Sequence, residues 1–330
     1  TRERILRYSN IFKNSFKLKF NILIPEEIFN KRIQKGINEK GILFFLVLKR
    51  ILSILFEKSK IVLIQHEILP YLPPFLEIIL KIKNVKYIID IDDAFFHRIY
   101  DKNFFIKNYF LIKFKITFSL ATKIIVGNKF LKKEVQKLGG KNIHVIPTLV
   151  DIPKLYKSKK YKKFTVVWIG SQSTSKYLNV IKETIKSLSQ HNISFVIIGP
   201  YKLDFKLKNL KVIQWNLKTY KRILSKSHVG IMPLDNTIWE RGKCGYKILQ
   251  YYSYGLPVIV SPIGFNKEIV NENTTGYFVR KKNEWYKYLV FLKNNKLKAK
   301  QMGNKGYFFL KQNFNFTQWS KKHSKIFKNL

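Results

Sequence analysis

The sequence predicts an α/β protein with two doubly wound domains, each built on a parallel sheet. Short apolar runs alternate with longer helical patterns along most of the 330 residues. Such alternation is typical of parallel sheets that helices cover on both faces. The runs are rich in β-branched residues, as in Val166-Val167 and Val196-Ile197-Ile198, which favours buried parallel strands. The chain is also about as long as two average domains.

The first half of the chain alternates in this way from residue 21 onward. Its candidate strands are residues 21–24, 61–64, 87–91, 123–126 and 143–146. Its candidate helices are residues 26–34, 42–56, 73–82, 104–120 and 129–138. The apolar stretch 42–56 is too short to span a bilayer and is interrupted by Lys49-Arg50, so we expect a helix that is buried on one side.

The second half resumes the alternation after a polar, charged segment, residues 151–163, which has no apolar periodicity and indicates a linker. Its candidate strands are residues 164–169, 194–198, 212–214, 229–232 and 258–260. Parallel sheets of this kind bind ligands beyond the carboxyl ends of their strands. Two such domains joined by one linker therefore predict a cleft between two sets of strand ends.

The composition narrows the function classes. The chain has 63 Lys and Arg against 20 Asp and Glu, a net charge of +43, but only 9 of the basic residues are Arg. Proteins that read nucleic acids usually depend on Arg. The joint excess of Lys, Ile, Asn and Phe is what an AT-rich coding sequence produces. Attraction to an anionic membrane or an anionic substrate is the alternative explanation of the charge.

The cysteine content and the first residues bear on the compartment. A single cysteine, Cys244, excludes a disulfide within the chain and a Cys-rich zinc site, and it fits a reducing cytoplasm. The first residues contain no apolar segment typical of a signal peptide. The sequence begins without Met, so we expect a short N-terminal piece to be missing.

The most informative motif spans residues 239–260. A Gly-rich loop that ends at Gly245 opens a helix, and a buried strand follows. A helix N-terminus offers N–H groups and the positive end of a dipole, both of which suit phosphate. Lys243 and Lys247 add two ammonium groups there, and Gln250 lies on the same helical face. These residues predict a diphosphate site, and two solvated lysines are the alternative in so lysine-rich a chain.

This motif resembles the nucleotide-sugar site of the retaining glycosyltransferases of family four, also called group 1, which have the GT-B fold. Three further pieces follow in the order of that family's C-terminal domain. They are Gly255-Leu256-Pro257-Val258-Ile259-Val260-Ser261-Pro262-Ile263-Gly264, Glu268-Ile269-Val270 and Thr275-Gly276-Tyr277. Lys247, Gln250 and Tyr251 match a subgroup whose donor helix reads Lys-x-x-Gln-Tyr. The commoner family pattern has glutamates where this chain has Gly242 and Gln250.

A second candidate phosphate site lies at residues 168–178. A strand runs into Gly170 and Ser171 and then into a helix, which places hydroxyl groups, loop N–H groups and Lys176 to bind phosphate oxygens. In the family that the chain resembles, Lys176 matches a common lysine, whereas Ser171 replaces a common Arg. An ordinary strand-to-helix turn with a solvated lysine is the alternative.

Polar side chains also follow two strands of the first domain. Asp90-Ile91-Asp92-Asp93 ends an apolar strand, and its carboxylates repel one another unless the structure holds them. The resembling subgroup has a similar Asp-x-Asp-Asp-Ala run, which implies that Asp92 and Asp93 lie near the sugar or the acceptor. His66 follows another strand and could act on an acceptor hydroxyl or hold a sugar group. A solvated turn and a structural histidine are the alternatives.

Together these motifs predict a retaining glycosyltransferase that takes a nucleotide diphosphate sugar as its donor. The acceptor is expected to be a saccharide or a lipid-linked saccharide, as in cell-surface polysaccharide synthesis. Residues 1–155 would bind the acceptor and residues 156–313 the donor, while a final helix at 314–330 crosses back to the first domain. Lys176, Lys243 and Lys247 would stabilise the leaving diphosphate. No bound cofactor, metal or nucleic acid is expected.

Two other functions stay open, as does the location of the protein. Charged family residues are replaced at Ser171, Gly242 and Gln250, which fits a catalytically silent GT-B scaffold, and the net charge fits a nucleic-acid-binding protein. We expect a cytoplasmic protein that binds peripherally to the inner face of the membrane. The segment 104–116, which interleaves aromatic residues with Lys107, Lys113 and Lys115, predicts reversible binding to an anionic bilayer. Packing of the same residues against the sheet is the alternative.

Overall fold

The computed structural model describes residues 2–13, 16–25, 27–28, 40–99, 103–154, 159–200, 202–328 and 330. The chain divides into two compact units. The first unit comprises Thr1–Thr148 and Thr317–Leu330, and the second comprises Leu149–Phe316. Each unit contains a parallel sheet with helices packed on it. This confirms the predicted α/β fold class with two Rossmann-like domains.

The described part of the first unit contains a sheet whose strands follow one another in chain order. The strands are β1 (Ile61–Gln65), β2 (Lys86–Ile91), β3 (Lys123–Val126) and β4 (Ile143–Val145). They pair in parallel in that order. The helices are α1 (Arg7–Lys13), α2 (Lys40–Leu55), α3 (Phe75–Ile82), α4 (Phe104–Leu120) and α5 (Lys129–Lys137). Because β-α-β crossovers are right-handed, α3, α4 and α5 lie on one face of this sheet.

The described part of the second unit contains a sheet whose strand order reverses at its centre. The strands are β5 (Phe164–Ile169), β6 (Ile193–Ile198), β7 (Leu210–Ile213), β8 (Val229–Met232), β9 (Val258–Val260) and β10 (Gly276–Phe278). Their spatial order is β10-β9-β8-β5-β6-β7, and every pair is parallel. The order therefore has its switch point between β5 and β8.

The helices of the second unit surround this sheet. They are α6 (Lys182–Ser187), α7 (Leu217–Lys226), α8 (Ile238–Arg241), α9 (Tyr246–Ser253), α10 (Asn266–Ile269), α11 (Lys282–Asn294) and α12 (Lys296–Asn313). A 3₁₀ helix, Gln172–Ile181, follows β5. The last helix, α13 (Phe316–Lys328), belongs almost entirely to the first unit. There Tyr8 stacks on His323 at a centroid distance of 4.2 Å, and Lys123 Nζ donates to the carbonyl of Ile326 at 2.7 Å.

Helix α9 is wedged between β8 and α12. The ring of Tyr251 packs on Gly230, and a Cβ atom at that glycine would lie 2.3 Å from the ring. The ring of Tyr252 packs on Gly306 of α12 in the same way, at 2.4 Å. Both tyrosines are fully buried. Close packing of this kind fixes the position of α9 on the sheet.

Two predicted elements of the first half have a different outcome. The strand predicted at residues 21–24 is wrong, because these residues are extended and bent without pairing in a sheet. The side chain of Ile22 is 67% exposed, and the carbonyl of Asn21 accepts a hydrogen bond from the side chain of Arg50 rather than from a neighbouring strand. Most of the helix predicted at 26–34 lies outside the described residues.

A half-buried histidine makes the stability of the second unit depend on pH. Thr165 N–H donates to Nδ1 of His228 at 3.0 Å, so this nitrogen must be unprotonated. Burial, followed by the charges of Lys160 and Lys296, lowers the pKa of His228 from 6.5 to about 4. Between these values the unfolded chain binds a proton that the folded chain does not, so stability is lost as the pH falls through this window.

We expect the melting temperature to fall as the pH is lowered from about 6.5 to about 4. His228→Asn keeps an oxygen that can accept from Thr165 and removes the titrating ring. The variant should therefore lose less stability than the wild type between pH 8 and pH 4.5, as measured by differential scanning calorimetry. Equal losses in the two proteins would contradict this assignment.

Candidate functional site

The first candidate site lies in the second unit, at the switch point between β5 and β8. Ligands of parallel sheets bind at such points, outside the carboxyl ends of the strands. β5 is followed by Gly170 and Ser171, and the 3₁₀ helix begins at Gln172. The exposed Ser171 hydroxyl lies 2.9 Å from that of Ser173. Gly170 and Ser171 thus stand where the fold places ligands, as the predicted phosphate site requires.

Gly170 and Lys247, which belong to two separate predicted motifs, lie side by side. A Cβ atom on Gly170 would be 2.7 Å from Lys247 Nζ and 2.4 Å from the ring of Trp168. The ammonium group of Lys247 lies 4.1 Å from the centroid of that ring, within cation–π range. A side chain at position 170 would displace both groups. The absence of a side chain there lets the lysine reach the carboxyl end of β5, and the two motifs form one site.

The N-terminus of α9 lies at the same place. Gly245 precedes the helix with φ +63°, and a Cβ atom there would lie 2.4 Å from Ile269, so the turn requires glycine. Lys247 is the second residue of α9, and its ammonium group adds to the positive end of the helix dipole. Gln250 is buried three residues later on the same helical face. These features together suit a diphosphate group and its attached sugar or ribose.

The two other predicted lysines are less tightly placed. Lys176 is exposed, with Nζ 5.3 Å from the ring centroid of Tyr177. Lys243 is half-buried, with Nζ 5.3 Å from the ring centroid of Trp239. Lys176 belongs to the 3₁₀ helix after β5 and Lys243 to the loop before α9, and both side chains are long enough to turn toward a bound anion. Of the three lysines, Lys247 has its ammonium group nearest to an aromatic ring.

A buried carboxylate that the sequence analysis missed connects these loops. Glu240 of α8 is 2% exposed and accepts hydrogen bonds from the hydroxyls of Tyr177 and Thr237. Burial raises the pKa of this carboxyl, but the hydrogen bonds from Thr237 and Tyr177 outweigh it and hold the pKa below its usual value. Glu240 therefore ties the helix after Gly170 to the loop before α9. The sequence gives only a weak signal for this role, because Glu240 is a single acidic residue within the motif, in a chain that has few acidic residues.

Tyr251, predicted to contact the donor, has another task in the structure. Its buried hydroxyl accepts from Ile169 N–H at 3.1 Å and donates to the carbonyl of Ile231 at 3.0 Å. β5 and β8 pair through Val166 and Val167 and then diverge. The hydroxyl bridges the two strands where their own ladder has ended. Tyr251 thus positions the carboxyl end of β5, from which Gly170 projects.

The second candidate site lies in the first unit, where the predicted carboxylates separate into different environments. Asp90 is buried in a two-pronged ion pair with Arg4, with Nε–Oδ2 at 2.8 Å and Nη2–Oδ1 at 2.6 Å. The Arg4 guanidinium also donates to Thr148 and to the carbonyl of Ile146. Breaking a buried pair of this kind typically costs about 3–5 kcal/mol of folding free energy. Asp90 therefore holds the fold together.

Asp92 faces His66 instead. The His66 Nε2 and Asp92 Oδ1 atoms are 2.7 Å apart, and both side chains are about one-third exposed, at 30% and 27%. Burial raises the pKa of Asp92, but the hydrogen bond and charge of His66 outweigh burial and bring it to about 2. The ionised carboxylate can only accept, so Nε2 donates the hydrogen bond. The neighbouring Asp93 is half-buried.

The backbone of His66 is strained. Its φ is +65°, a left-handed conformation that is uncommon for residues other than glycine. The strain is held by a hydrogen bond from His66 N–H to the carbonyl of Asp90 at 3.0 Å and by ring contact with Phe95, with centroids 4.8 Å apart. Strained residues of this kind cluster at functional sites. Within the described residues, no group of three or more His, Cys, Asp or Glu side chains is arranged to hold a metal ion.

Comparison with known protein families relates the first of these sites to a known chemistry. Residues 163–295 match the family model of the group 1 glycosyl transferases. The matched region contains the whole sheet of the second unit and every residue of the site around Gly170 and Lys247. No curated protein sequence matches the chain significantly.

Solved structures match parts of the chain from both units. HepE of Anabaena, in complex with UDP-glucose, is 12% identical, with 93% of this chain and 90% of HepE covered and a TM-score of 0.66. The pneumococcal O-GlcNAc transferase GtfA, in complex with UDP and GlcNAc, is 13% identical, with 86% and 59% covered and a TM-score of 0.65. A TarM variant of S. aureus, in complex with UDP among other ligands, is 15% identical, with 74% and 51% covered and a TM-score of 0.61.

These likenesses establish the GT-B fold that the sequence resemblance implies. The chain spans about half of TarM and somewhat more of GtfA. The subgroup with a Lys-x-x-Gln-Tyr helix remains a prediction.

Proposed function

We propose that the chain is a glycosyltransferase that moves a sugar, with retention, from a nucleotide diphosphate sugar to a saccharide or lipid-linked acceptor. The observation that carries the proposal is the position of the Lys247 ammonium group against Gly170 and over Trp168, at a sheet switch point within the region that matches the family model. HepE, GtfA and TarM were all solved with UDP or a UDP-sugar. A uridine diphosphate sugar is therefore the first donor to test.

We assign each site residue of the second unit a task in this reaction. Negative charge develops on the diphosphate as the bond to the sugar breaks, and the Lys247 ammonium group together with the α9 N-terminus would stabilise it. Lys176 and Lys243 would add charge from the flanking segments, and Ser171 would add a hydroxyl donor. Gln250 would hydrogen-bond the sugar or ribose. Preorganised groups of this kind need no reorientation during the reaction.

His66 and Asp92 would serve the acceptor or the transferred sugar. Because Nε2 donates to Asp92, the other ring nitrogen of a neutral His66 carries a lone pair that can accept from a hydroxyl group. The Asp92 carboxylate would fix the orientation of the ring and stabilise positive charge on it. Asp93 would supply a further acceptor for sugar hydroxyls. We assign acceptor binding to residues 1–155 and donor binding to residues 156–313. We place the enzyme in the cytoplasm, where it would contribute to the synthesis of cell-surface polysaccharide.

A ligand screen tests the proposal. Nucleotide sugars based on UDP, GDP, ADP and CMP are added to the protein, and the melting temperature is recorded. A ligand at 100 times its Kd stabilises the folded protein by about 2.7 kcal/mol. We expect one class of nucleotide diphosphate sugar to raise the melting temperature and to release its nucleotide when a saccharide acceptor is added. No shift with any nucleotide diphosphate sugar would refute the donor site.

A catalytically silent GT-B scaffold is the second candidate. It is favoured by Ser171, Gly242 and Gln250, which replace charged residues of the resembling family. The same screen separates the two functions, because a scaffold would bind a donor without releasing nucleotide in the presence of any acceptor.

The single cysteine is expected to be dispensable for this activity. Cys244 is buried, and its thiol contacts the carbonyl of Gly242 at 3.8 Å. A buried thiol is a poor nucleophile, because the charged thiolate is disfavoured there. Cys244→Ser should transfer sugar at nearly the wild-type rate. Complete loss of turnover with normal donor binding would show that the thiol takes part in the reaction.

A further inference from the structure

The outer side of the helical layer of the first unit exposes an unusual amount of apolar surface. Seven large apolar side chains are exposed on α2 and at its end, and the spacing of all but Ile42 keeps them in a stripe of about a third of the helix circumference. The apolar face, as we call it, combines this stripe with exposed residues of α3 and α4. Its members are Phe44, Phe45, Leu48, Leu52, Leu55, Phe56, Ile78, Ile82, Phe104, Phe105 and Ile112.

Four members of the apolar face are exposed over most of their surface. Phe44, Phe56 and Phe105 are 72%, 76% and 82% exposed, and Ile82 is 74% exposed. Helix α2 contacts α3, and α3 contacts α4, so the three outer surfaces adjoin. The expectation that α2 is a helix with one buried side is only partly met, because Ile54 is its one residue classed as buried among those whose side chains are described. Contiguous patches of this kind mark interaction sites.

The charges that helices α2, α3 and α4 expose are all of one sign. Helices α2 and α4 contain no Asp or Glu, and the one acidic residue of α3, Glu77, is buried. Exposed lysines lie among the apolar residues, namely Lys49, Lys81, Lys107 and Lys115. Helices that expose aromatic rings together with cations and no carboxylate are complementary to lipid with negatively charged headgroups.

One lysine predicted to take part does not. Lys113 is 1% exposed, and its ammonium group is bound to Glu67 Oε2 at 2.6 Å and to the carbonyl of Leu69 at 2.8 Å. The helix α4 thus packs one side against the sheet, as the alternative interpretation held, and presents another side to solvent. Of the three lysines named from the sequence, Lys107 and Lys115 face outward.

We propose that the apolar face docks on an anionic lipid bilayer, with its aromatic side chains in the interfacial layer and its lysines at the headgroups. A second copy of the chain fits less well, because each copy would bring the same lysines to the interface, and none of the three helices exposes a carboxylate to pair with them. No helix of the described residues is long and apolar enough to cross a membrane. The proposal concerns a partner of the first unit and does not depend on the donor chemistry of the second.

Vesicle flotation tests the proposal. Full-length protein is mixed with vesicles of phosphatidylcholine alone or with increasing phosphatidylglycerol, at low and high salt. We expect flotation that rises with anionic lipid and falls with salt, because salt screens the lysines. The variant Phe44→Ser/Phe45→Ser/Phe104→Ser/Phe105→Ser should bind at least tenfold more weakly. Lys49→Gln/Lys107→Gln/Lys115→Gln should lose most of the dependence on anionic lipid.

A matched control lies in the second unit. Leu297 and Phe308 are 78% and 57% exposed, and Leu297→Ser/Phe308→Ser should float like the wild type. A label reports the docking site directly: Phe105→Cys in a Cys244→Ser background carries an environment-sensitive dye, and Phe308→Cys in the same background is its control. We expect a blue shift of the dye on anionic vesicles at position 105 and none at position 308.

Several outcomes would overturn the proposal. They are an absence of flotation on strongly anionic vesicles at low salt, unchanged flotation of the four-phenylalanine variant, or an equal loss in the control variant. A wild-type dimer in sedimentation that the four-phenylalanine variant abolishes, without vesicle binding, would assign the face to a second copy instead. Circular dichroism and the melting temperature verify that each variant is folded. Donor binding, measured separately by thermal shift, is expected to be unchanged in all of them.

Discussion

Lys247→Ala is expected to lower the rate of sugar transfer about a hundredfold or more while the protein stays folded. Removing one preorganised group that stabilises charge in a transition state typically costs a factor of about 10²–10³. Lys247 is placed for this role, because its ammonium group is held over Trp168 and against Gly170 at the N-terminus of α9. The cation–π contact with Trp168 is worth about 0.5–1 kcal/mol, so its loss leaves most of the stability.

The measurement compares nucleotide release at saturating donor with the melting temperature of each variant. Lys298→Ala, an exposed lysine on α12, is the matched control and should keep wild-type activity. Lys247→Arg keeps the charge but changes the shape of the group, so we expect partial activity. If Lys247→Ala transferred sugar at a rate within a few-fold of the wild-type rate, Lys247 would not be the group that stabilises the leaving diphosphate.

The elements of the second unit were largely predictable from the sequence, because buried parallel strands leave a local signal. The β-branched runs at β5, β6 and β8 lie where the apolar pattern predicts strands. The loop before α9 was predictable too, since Gly245 adopts a conformation that glycine favours. What the sequence could not show is that Gly170 and Lys247 touch, because that depends on how two distant segments pack.

Long-range ion pairs account for most of what the sequence analysis missed. Asp90 was interpreted with its neighbours as one cluster of like charges, but its partner is Arg4, 86 residues away. Lys113 was interpreted as a solvent-facing lysine, but its partner Glu67 is 46 residues away. The chain has 63 basic residues, and no local periodicity marks Arg4 or Lys113 among them. The sequence alone therefore does not distinguish a buried basic residue from an exposed one.

The strand predicted at residues 21–24 failed for a related reason. Its apolar run has the right residue types, but a strand is stable only when a neighbouring strand takes up its backbone hydrogen bonds. The Arg50 side chain donates a hydrogen bond to the carbonyl of Asn21 instead. Residue type therefore predicted candidate strands, and pairing decided which of them formed.

His66→Asn is expected to reduce sugar transfer about a hundredfold or more with little loss of stability. Proton transfer or hydrogen bonding by a positioned histidine typically contributes about 10²–10⁴-fold to a rate. Asn is among the residues that adopt positive φ most readily, so this substitution tolerates the backbone at +65°. Ala would strain the turn and confuse a catalytic loss with a structural one. The Asn amide is too short to reach Asp92 in place of Nε2, and it cannot take up a proton as the other ring nitrogen can.

Asp92→Asn separates positioning from catalysis at this site. The pKa of Asp92 is about 2, so the carboxylate stays charged at every pH at which the enzyme is assayed. Its loss should lower kcat through the orientation and charge of His66, and the pH dependence of kcat should change with it. His66→Asn/Asp92→Asn should then be little worse than His66→Asn alone, because both changes interrupt one unit. Losses that multiply in the double variant would show that the two side chains act independently. A His66→Asn enzyme with wild-type kcat and a lowered melting temperature would show that the pair only stabilises the strained turn.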